Sequence, residues 1–425
     1  MGFQQGLSGL NATSKNLSVI GNNIANANTI GAKASKAVFA DLYANAMSGA
    51  SGTSPGIGVI VNSVTQQFSQ GNITATDNSL DLAINGNGFF QLDAGGTTVY
   101  SRNGQFEIDK VGNIVNNAGQ KLQGYAAATD GSIIPSTIQA LQLPTAGVAP
   151  AATANIKLEL NLDSRGKITL PAAAPRITFA DPATYNTATS VTVFDTKGQG
   201  VAITCYFQKT GADTWNVYGT ANGRPLLDDV GDGTGNPLPS VVGMTFASSG
   251  GSLTAPVGTV AIDVPAAPLA GGGGNSLPIA GVKLDMTGAT QFGSSFSVTN
   301  LAQDGYAPGQ LNGISIDKSG VIKAQYSNGQ AKAAGQLVLA RFRNPQGLQP
   351  LGGNAWASAV SSGDPIVGAA GQGSFGALQS GSLEESNVEL TNELVAMITA
   401  QRAYQANAQT IKTEDQMMQT LVNLR

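Results

Sequence analysis

Histidine, the side chain best suited to proton transfer near neutral pH, is absent from all 425 residues. There is one cysteine, Cys205, so neither an intrachain disulfide nor a thiolate cluster for zinc or iron–sulfur can form. In Val201-Ala-Ile-Thr-Cys205-Tyr-Phe207, the side chains of Val201, Ile203, Cys205 and Phe207 share one face of an expected strand, which reads as a buried structural thiol. Gly371-x-Gly373-x-x-Gly376 matches a dinucleotide fingerprint by letter, but it follows no clear strand and opens no helix. Asp228 to Gly233 resembles the start of a calcium loop; Val230 occupies a ligand position and no Glu closes it, so an acidic turn is expected. No G-x-S-x-G elbow and no P-loop occur. Carboxylates alone remain for chemistry, with no constellation to hold them. The expectation is a chain with no catalytic residues, no cofactor and no metal.

Charge points the same way. Charged residues make up 11% of the chain, against roughly 25% in an ordinary soluble domain, and burying surface against neighbouring copies is one remedy for such a deficit. With a net charge of -4 and lysines and arginines scattered singly, there is no electrostatic footprint for nucleic acid or anionic lipid. No run of 18 apolar residues could span a bilayer, so no membrane insertion is expected. The first charge is Lys15, and no basic n-region with an apolar stretch behind it is present. The expectation is a cytoplasmic protein or one exported without a cleaved signal peptide.

The elements that carry the pattern lie at the two ends. Phe3, Leu10, Leu17 and Ile24 recur every seven residues, with Leu7 and Ile20 between them, an apolar stripe at coiled-coil spacing that Gly31 interrupts. Val38, Phe39, Leu42, Tyr43 and Ala46 suggest a second short amphipathic turn or two. At the other end Ser386 and Glu389 form a capping-box pattern. Leu390, Leu394, Met397, Gln401, Tyr404, Ala408, Ile411, Asp415, Met418 and Val422 then follow at alternating steps of four and three, without Gly or Pro. That predicts a helix of about 35–40 residues, ~55 Å long at 1.5 Å per residue. So narrow a stripe on so long a helix predicts an assembly interface: Phe3, Leu7, Leu10, Leu17, Ile20, Ile24, Leu390, Leu394, Met397, Tyr404, Ile411, Met418 and Val422.

Between the ends lie most of the 55 glycines and many short strands. Residues 80–124 read as a β meander split by Asn-Gly and other Gly turns, and residues 190–220 repeat the pattern. An Ala/Pro-rich stretch near 144–154 looks like a crossing point, Gly271 to Gly274 like a loop, and the first style resumes after about Tyr306. The expected fold is mostly β with long α-helices at both termini: two nested β domains plus a terminal helical coiled-coil domain. The expected boundaries are 1–46 with 383–425 for the helical assembly domain and 47–69 with 370–382 for a linker. Residues 70–146 with 304–369 make a first β domain, and 147–303 a second, inserted at a loop.

Ser8-Gly-Leu-Asn-Ala-Thr-Ser-Lys-Asn-Leu-Ser-Val-Ile-Gly-Asn-Asn-Ile-Ala-Asn-Ala-Asn-Thr-Ile-Gly31 closely resembles the N-terminal motif of the bacterial flagellar rod and hook proteins, the axial family. The run from Ser386-Asn-Val-Glu-Leu to Glu-Asp-Gln416 resembles the C-terminal motif. Asn87-Gly-Phe-Phe and Tyr100-Ser-Arg-Asn-Gly-Gln-Phe resemble motifs of the shared first β domain. About 150 residues near 147–303, with Asp304-Gly-Tyr-Ala-Pro-Gly and the closing Thr-Leu-Val-Asn-Leu-Arg425, look like the hook type rather than the distal rod type. Ala32 stands after Gly31 where an aromatic is commoner, a departure that touches no function.

The resemblance implies a non-enzymatic subunit that polymerises with itself into a curved, flexible tube joining rod to filament and carrying torque for motility. It implies helices lining the inner channel and β domains building the shell. It implies distal rod, hook cap and hook–filament junction proteins as partners, export through the flagellar type III apparatus, and an extracellular place in the flagellum. A distal rod-type protein is the alternative within the family. A secreted β-rich surface adhesin would account for the Gly-rich strands but not for heptad helices at opposite termini, and a carbohydrate-active β enzyme working through paired carboxylates has no constellation to rest on.

Overall fold

The computed structural model describes residues 2–42, 58–128, 131–144, 146–171, 177–227, 240–269 and 274–423. The described chain is mostly β with one helix at each terminus: α1, Gly2–Ala25, and α2, Leu390–Asn423. Neither is long and apolar enough to cross a membrane. Two compact units are present, one made of Met1–Thr145, Gly313–Gln325 and Ala331–Arg425, the other of Ala146–Asn312 and Tyr326–Gln330.

In the first unit α1 ends in a turn that leads through Gly31, whose φ is +70°. A methyl built on Gly31 would lie 2.7 Å from the Asn103 nitrogen, so only glycine lets these two backbones pass. The chain then forms β1, Ser35–Leu42, antiparallel to β2, Gly58–Gln66. This corrects the expectation of helical turns at Val38, Phe39 and Leu42: they stand in a strand, with a register shift between Val38 and Phe39. The Val-Phe pair and the β-branched Val59, Ile60, Val61 and Val64 across from it favour a pleated hairpin. Tyr43 and Ala46 lie outside the described residues. Residues 58–66, expected in a linker, are likewise strand.

The same unit holds a large sheet. Phe89–Asp93 pairs with Thr98–Ser101 as a hairpin, with Lys121–Ala127 through Leu92 and Leu122, and with Ala331–Arg341 through Phe90 and Leu339. Leu82, Ile84, Phe90, Leu92, Phe106, Ile114, Leu122, Leu337 and Leu339 fill one core. Phe68, Phe89, Tyr100, Phe342 and Trp356 stack edge-to-face in a second cluster. The returning chain is stitched back by two short pairings, Ala377–Ser380 on Leu82–Asn85 and Ser382–Glu384 on Ile73–Ala75. Gly371, Gly373 and Gly376 lie in the turn before the first of these, and no helix follows. Helix α2 starts at Leu390, later than the capping box implied: Ser386 Oγ accepts from the Val388 N–H, and the Glu389 carbonyl takes the first helical bond, from Glu393.

In the second unit, Thr187–Phe194, Gly200–Lys209, Thr214–Ala221, Val242–Phe246 and Leu253–Ala255 follow one another as antiparallel neighbours. Asn155–Asp163 is central to another sheet, flanked by Ile279–Asp285, Thr290–Phe292 and Ser297–Gln303. Leu158, Leu160 and Leu162 from one sheet and Val201, Ile203, Cys205, Phe207 and Trp215 from the other share one core. The loop at Gly271–Gly274 and the turn at Asp228–Gly233 fall, save Gly274, outside the described residues.

Burial pushes the Cys205 thiol up to about 12. At pH 8 its thiolate is then only about one part in ten thousand, and the thiolate is the reactive form. Native protein should therefore resist a thiol reagent at pH 8 and label rapidly in urea, which makes Cys205 a reporter for unfolding of the second unit. Labelling of native protein as fast as denatured protein would contradict the burial.

Candidate assembly surface

Helices α1 and α2 run antiparallel against each other along a seam of small and polar side chains. A methyl on Gly6 would come within 3.0 Å of Ile411 Cγ1, and one on Gly9 within 2.9 Å of the Asn407 amide. Farther along, Ala12, Ile20 and Ala400 are buried, and Asn23 Nδ2 donates to Glu393 Oε1 at 3.0 Å. Glycine and alanine let the axes approach closely, and close approach brings backbone as well as side-chain atoms into dispersion contact. The β1–β2 hairpin packs on α1, where the Val59 N–H donates to Ser8 Oγ. A groove floored by Gly9, Ala12, Ala396, Ala400 and Ala403 runs between the helices and the hairpin.

That seam divides the thirteen interface residues expected from sequence. Ile20 is buried in it, and Leu10, Leu17, Ile24, Met397 and Ile411 are half-buried. Phe3, Leu7, Leu390, Leu394, Tyr404 and Met418 are exposed, from 36% for Tyr404 to 62% for Met418. The side chain of Val422 lies outside the description. Three large residues that the heptad pattern passed over, Val395, Ile398 and Met417, are also exposed, as are Val38, Phe39, Ile60 and Val64 on the hairpin. The signal for the first two was present: Leu394, Val395 and Ile398 stand at i, i+1 and i+4, a helix face rather than a line. Among the described residues, no group of three or more His, Cys, Asp or Glu side chains is placed to hold a metal ion.

A second feature, invisible to pattern reading, lies where the helices meet the sheet. The Glu384 side chain has no exposed surface. Its Oε1 accepts from Lys33 Nζ at 2.6 Å and from the Gly71 N–H at 3.0 Å, and its Oε2 accepts from Arg102 Nη1 at 2.9 Å. Lys33 also donates to the Ser69 carbonyl, and Arg102 to the Gly86 carbonyl while its guanidinium lies 5.5 Å from the Phe89 ring centre. Burial holds Lys33 and Arg102 below their ordinary pKa values, with the Glu384 charge opposing that shift in each. Two asparagines extend the junction. Asn23 exchanges both amide bonds with the Ser35 backbone, and Asn387 accepts from the Ala34 N–H and donates to the Gln67 carbonyl.

Four family models match parts of the chain: flagella basal body rod protein at residues 3–33, the flagellar hook protein FlgE/F/G D1 domain at 83–193, the flagellar basal body protein FlaE D2 domain at 161–306, and the flagellar basal body rod FlgEFG protein C-terminal at 379–424. The chain is 40% identical to the flagellar hook protein FlgE of Escherichia coli K12 over 433 aligned residues, covering 100% of both chains. It is 33% identical to the flagellar hook protein FlgE of Rhizobium meliloti, over 100% of this chain and 98% of that one. Among solved structures, the Helicobacter pylori flagellar hook protein FlgE2 aligns with a TM-score of 0.53 at 13% identity, over 73% of this chain and 100% of that chain, a likeness of fold.

The small-residue seam has a direct test. Gly9→Val would drive two methyls into the Asn407 amide, an overpacking of about 1–3 kcal/mol. The helical circular-dichroism signal of the monomer should fall while the melting temperature of the β units stays put; an unchanged helical signal would mean that the helices do not meet at Gly9.

Proposed function

This chain belongs to the flagellar hook protein FlgE family and is a structural subunit of the bacterial flagellar hook; on that premise we propose that copies of it stack through their terminal helix pairs into a curved tube. The observation that carries this reading is the division of the helix surface. Within one chain the seam uses Gly6, Gly9, Ala12, Ile20 and Ala400, and six large apolar side chains, Phe3, Leu7, Leu390, Leu394, Ile398 and Met418, are left outward. Burying a side chain of that size contributes about 1.5–3 kcal/mol, and a helical lattice repeats the gain in every subunit. The groove between the helices and the hairpin offers a neighbour's side chain an apolar seat.

In this reading the α1–α2 pair acts as a coiled coil lining the channel, and residues 147–303 are a domain inserted into the first β domain that builds the outer shell. Rod, cap and junction proteins at the two ends of the tube, and export through the flagellar type III apparatus without a cleaved signal peptide, belong to the same proposal. The family is a structural one, and the low charge and glycine-rich turns support sliding contacts between outer domains.

Leu394→Asp should separate assembly from folding. The side chain is 44% exposed in the single chain, so the monomer should melt as wild type. In a packed lattice the carboxylate would be desolvated without a partner, at a cost of several kcal/mol per subunit, and electron micrographs should show no tubes. Lys110→Asp, on the β surface, should assemble normally. Tubes from Leu394→Asp at wild-type concentrations would overturn the helix-driven reading.

Replacing residues 147–303 by a short linker tests the division of labour. Tubes altered in curvature or stiffness are expected. A folded first domain that no longer assembles at all would refute it.

A further inference from the structure

The Asn-rich stretch at the end of α1 and the charged trio around Glu384 have no part in the outward surface just described, yet they include the most deeply buried charges of the first unit. We propose that Glu384 is a positioning residue: it fixes the α1–α2 pair in one orientation on the sheet of its own unit, with Asn23 and Asn387 as its extension.

Each contact of Glu384 comes from a different part of that unit. Lys33 belongs to the segment leaving α1, Gly71 to the segment after β2, and Arg102 to the end of the Thr98–Ser101 hairpin strand. Glu384 itself closes the last strand before α2, and its own carbonyl accepts from the Gly31 N–H at 2.8 Å. One residue therefore joins the segment leaving α1, the segment leading to α2, and the sheet. The geometry is selective because two cations and one anion share a buried site. Any other orientation of the helix pair would leave at least one of these charges buried and unpaired. Apolar contacts around it discriminate much less, since they depend on area rather than direction. Asn23 performs the same task for the strand: by donating to the Ser35 carbonyl and accepting from its N–H, it stands in for a neighbouring strand and ties α1 to β1. Asn387 ties the start of α2 to both crossing segments, at Ala34 and at Gln67. The proposal leans on the hook reading for one consequence only, that force taken up by the helices passes to the shell through this junction.

The test is a distance measurement on the full-length monomer, so it does not depend on assembly. Spin labels are placed at Thr410→Cys on α2 and Val111→Cys on the sheet unit, both exposed, while Cys205 is buried. Pulsed electron resonance of the otherwise unchanged chain should give one narrow distance peak. In Glu384→Gln the peak should roughly double in width, because the group that selected one orientation among several no longer discriminates them. Lys33→Met leaves a neutral Glu384–Arg102 pair and so keeps the core sound; it should broaden the peak too, which covers the case in which Glu384→Gln fails to fold. Leu122→Ala, a core truncation in the same sheet, should lower the melting temperature and leave the width unchanged. A narrow peak in both junction variants would overturn the proposal, as would equal broadening by Leu122→Ala, which would make Glu384 an ordinary stability contact. Loss of tubes in Leu394→Asp reports on the assembly reading alone.

Discussion

One buried carboxylate governs how the ends of this chain meet its middle. Glu384, its side chain fully buried, pairs with Lys33, Arg102 and a backbone N–H, and removing a buried ion from water costs several kcal/mol unless its partners are in place. The cost makes the arrangement unforgiving. Residues 33, 71, 102 and 384 must arrive together, although 351 positions separate Lys33 from Glu384. Gly31 is demanded by the same constraint, since the segment carrying Lys33 reaches the carboxylate only by passing against the backbone of Arg102 and Asn103. The pairing of Ser382–Glu384 on Ile73–Ala75, and the start of α2 six residues later, follow from where that side chain has to be.

With the junction set, the helix pair resolves a conflict of sizes. A long helix with a full apolar stripe could bury its large side chains against its partner in the same chain, and nothing would remain for a neighbour. Here Gly6, Gly9, Ala12 and Ala400 stand at facing positions beside Ile20 and Ile411, and their small volume gives close packing at little expense of apolar area. Many of the larger side chains are left outward on α1, α2 and the hairpin. A row of exposed apolar side chains on one helix face, unlike single ones scattered over a surface, marks an interaction face.

The sequence made some of this legible and hid the rest for physical reasons. Helix periodicity marked both termini, because α-helical contacts are local. Alternation placed Val201, Ile203, Cys205 and Phe207 on one buried face, and Asn-Gly turns marked the meander. The β1 strand was misread because its partner begins 16 residues after β1 ends and its register shifts at Val38, which breaks the period of two that would have identified it. The heptad stripe was found, but which members face the same chain and which face outward depends on the rotation of one helix against another, a long-range quantity. Glu384 gave no local signal at all. A glutamate between a serine-rich turn and a helix reads as a solvated charge until the three segments it joins are brought together.

The scarcity of charge takes on a different meaning beside these contacts. Of the 26 acidic residues, several are committed to turns of their own chain, and Asp195 among them is fully buried. Asp109 accepts from the Val111 and Asn113 N–H groups, Asp195 from Lys197 and Gln199, and Asp317 from Ser319 and Val321. Each closes an Asp-x-x-Gly hairpin turn in which the glycine, Gly112, Gly198 or Gly320, takes the positive φ. Glu384 and its two partners are hidden as well. What remains outside is mostly Ser, Thr, Asn, Gln and the apolar rows on the helices. Contacts made by such a surface act at short range and are little affected by dissolved ions, whereas exposed ion pairs lose strength once salt screens them beyond about 8–10 Å. A chain that reserves its strongest charges for its own junction and leaves apolar area outward therefore separates two tasks. In the assembly proposed above, electrostatics fixes the shape of one subunit and hydrophobic burial joins it to the next.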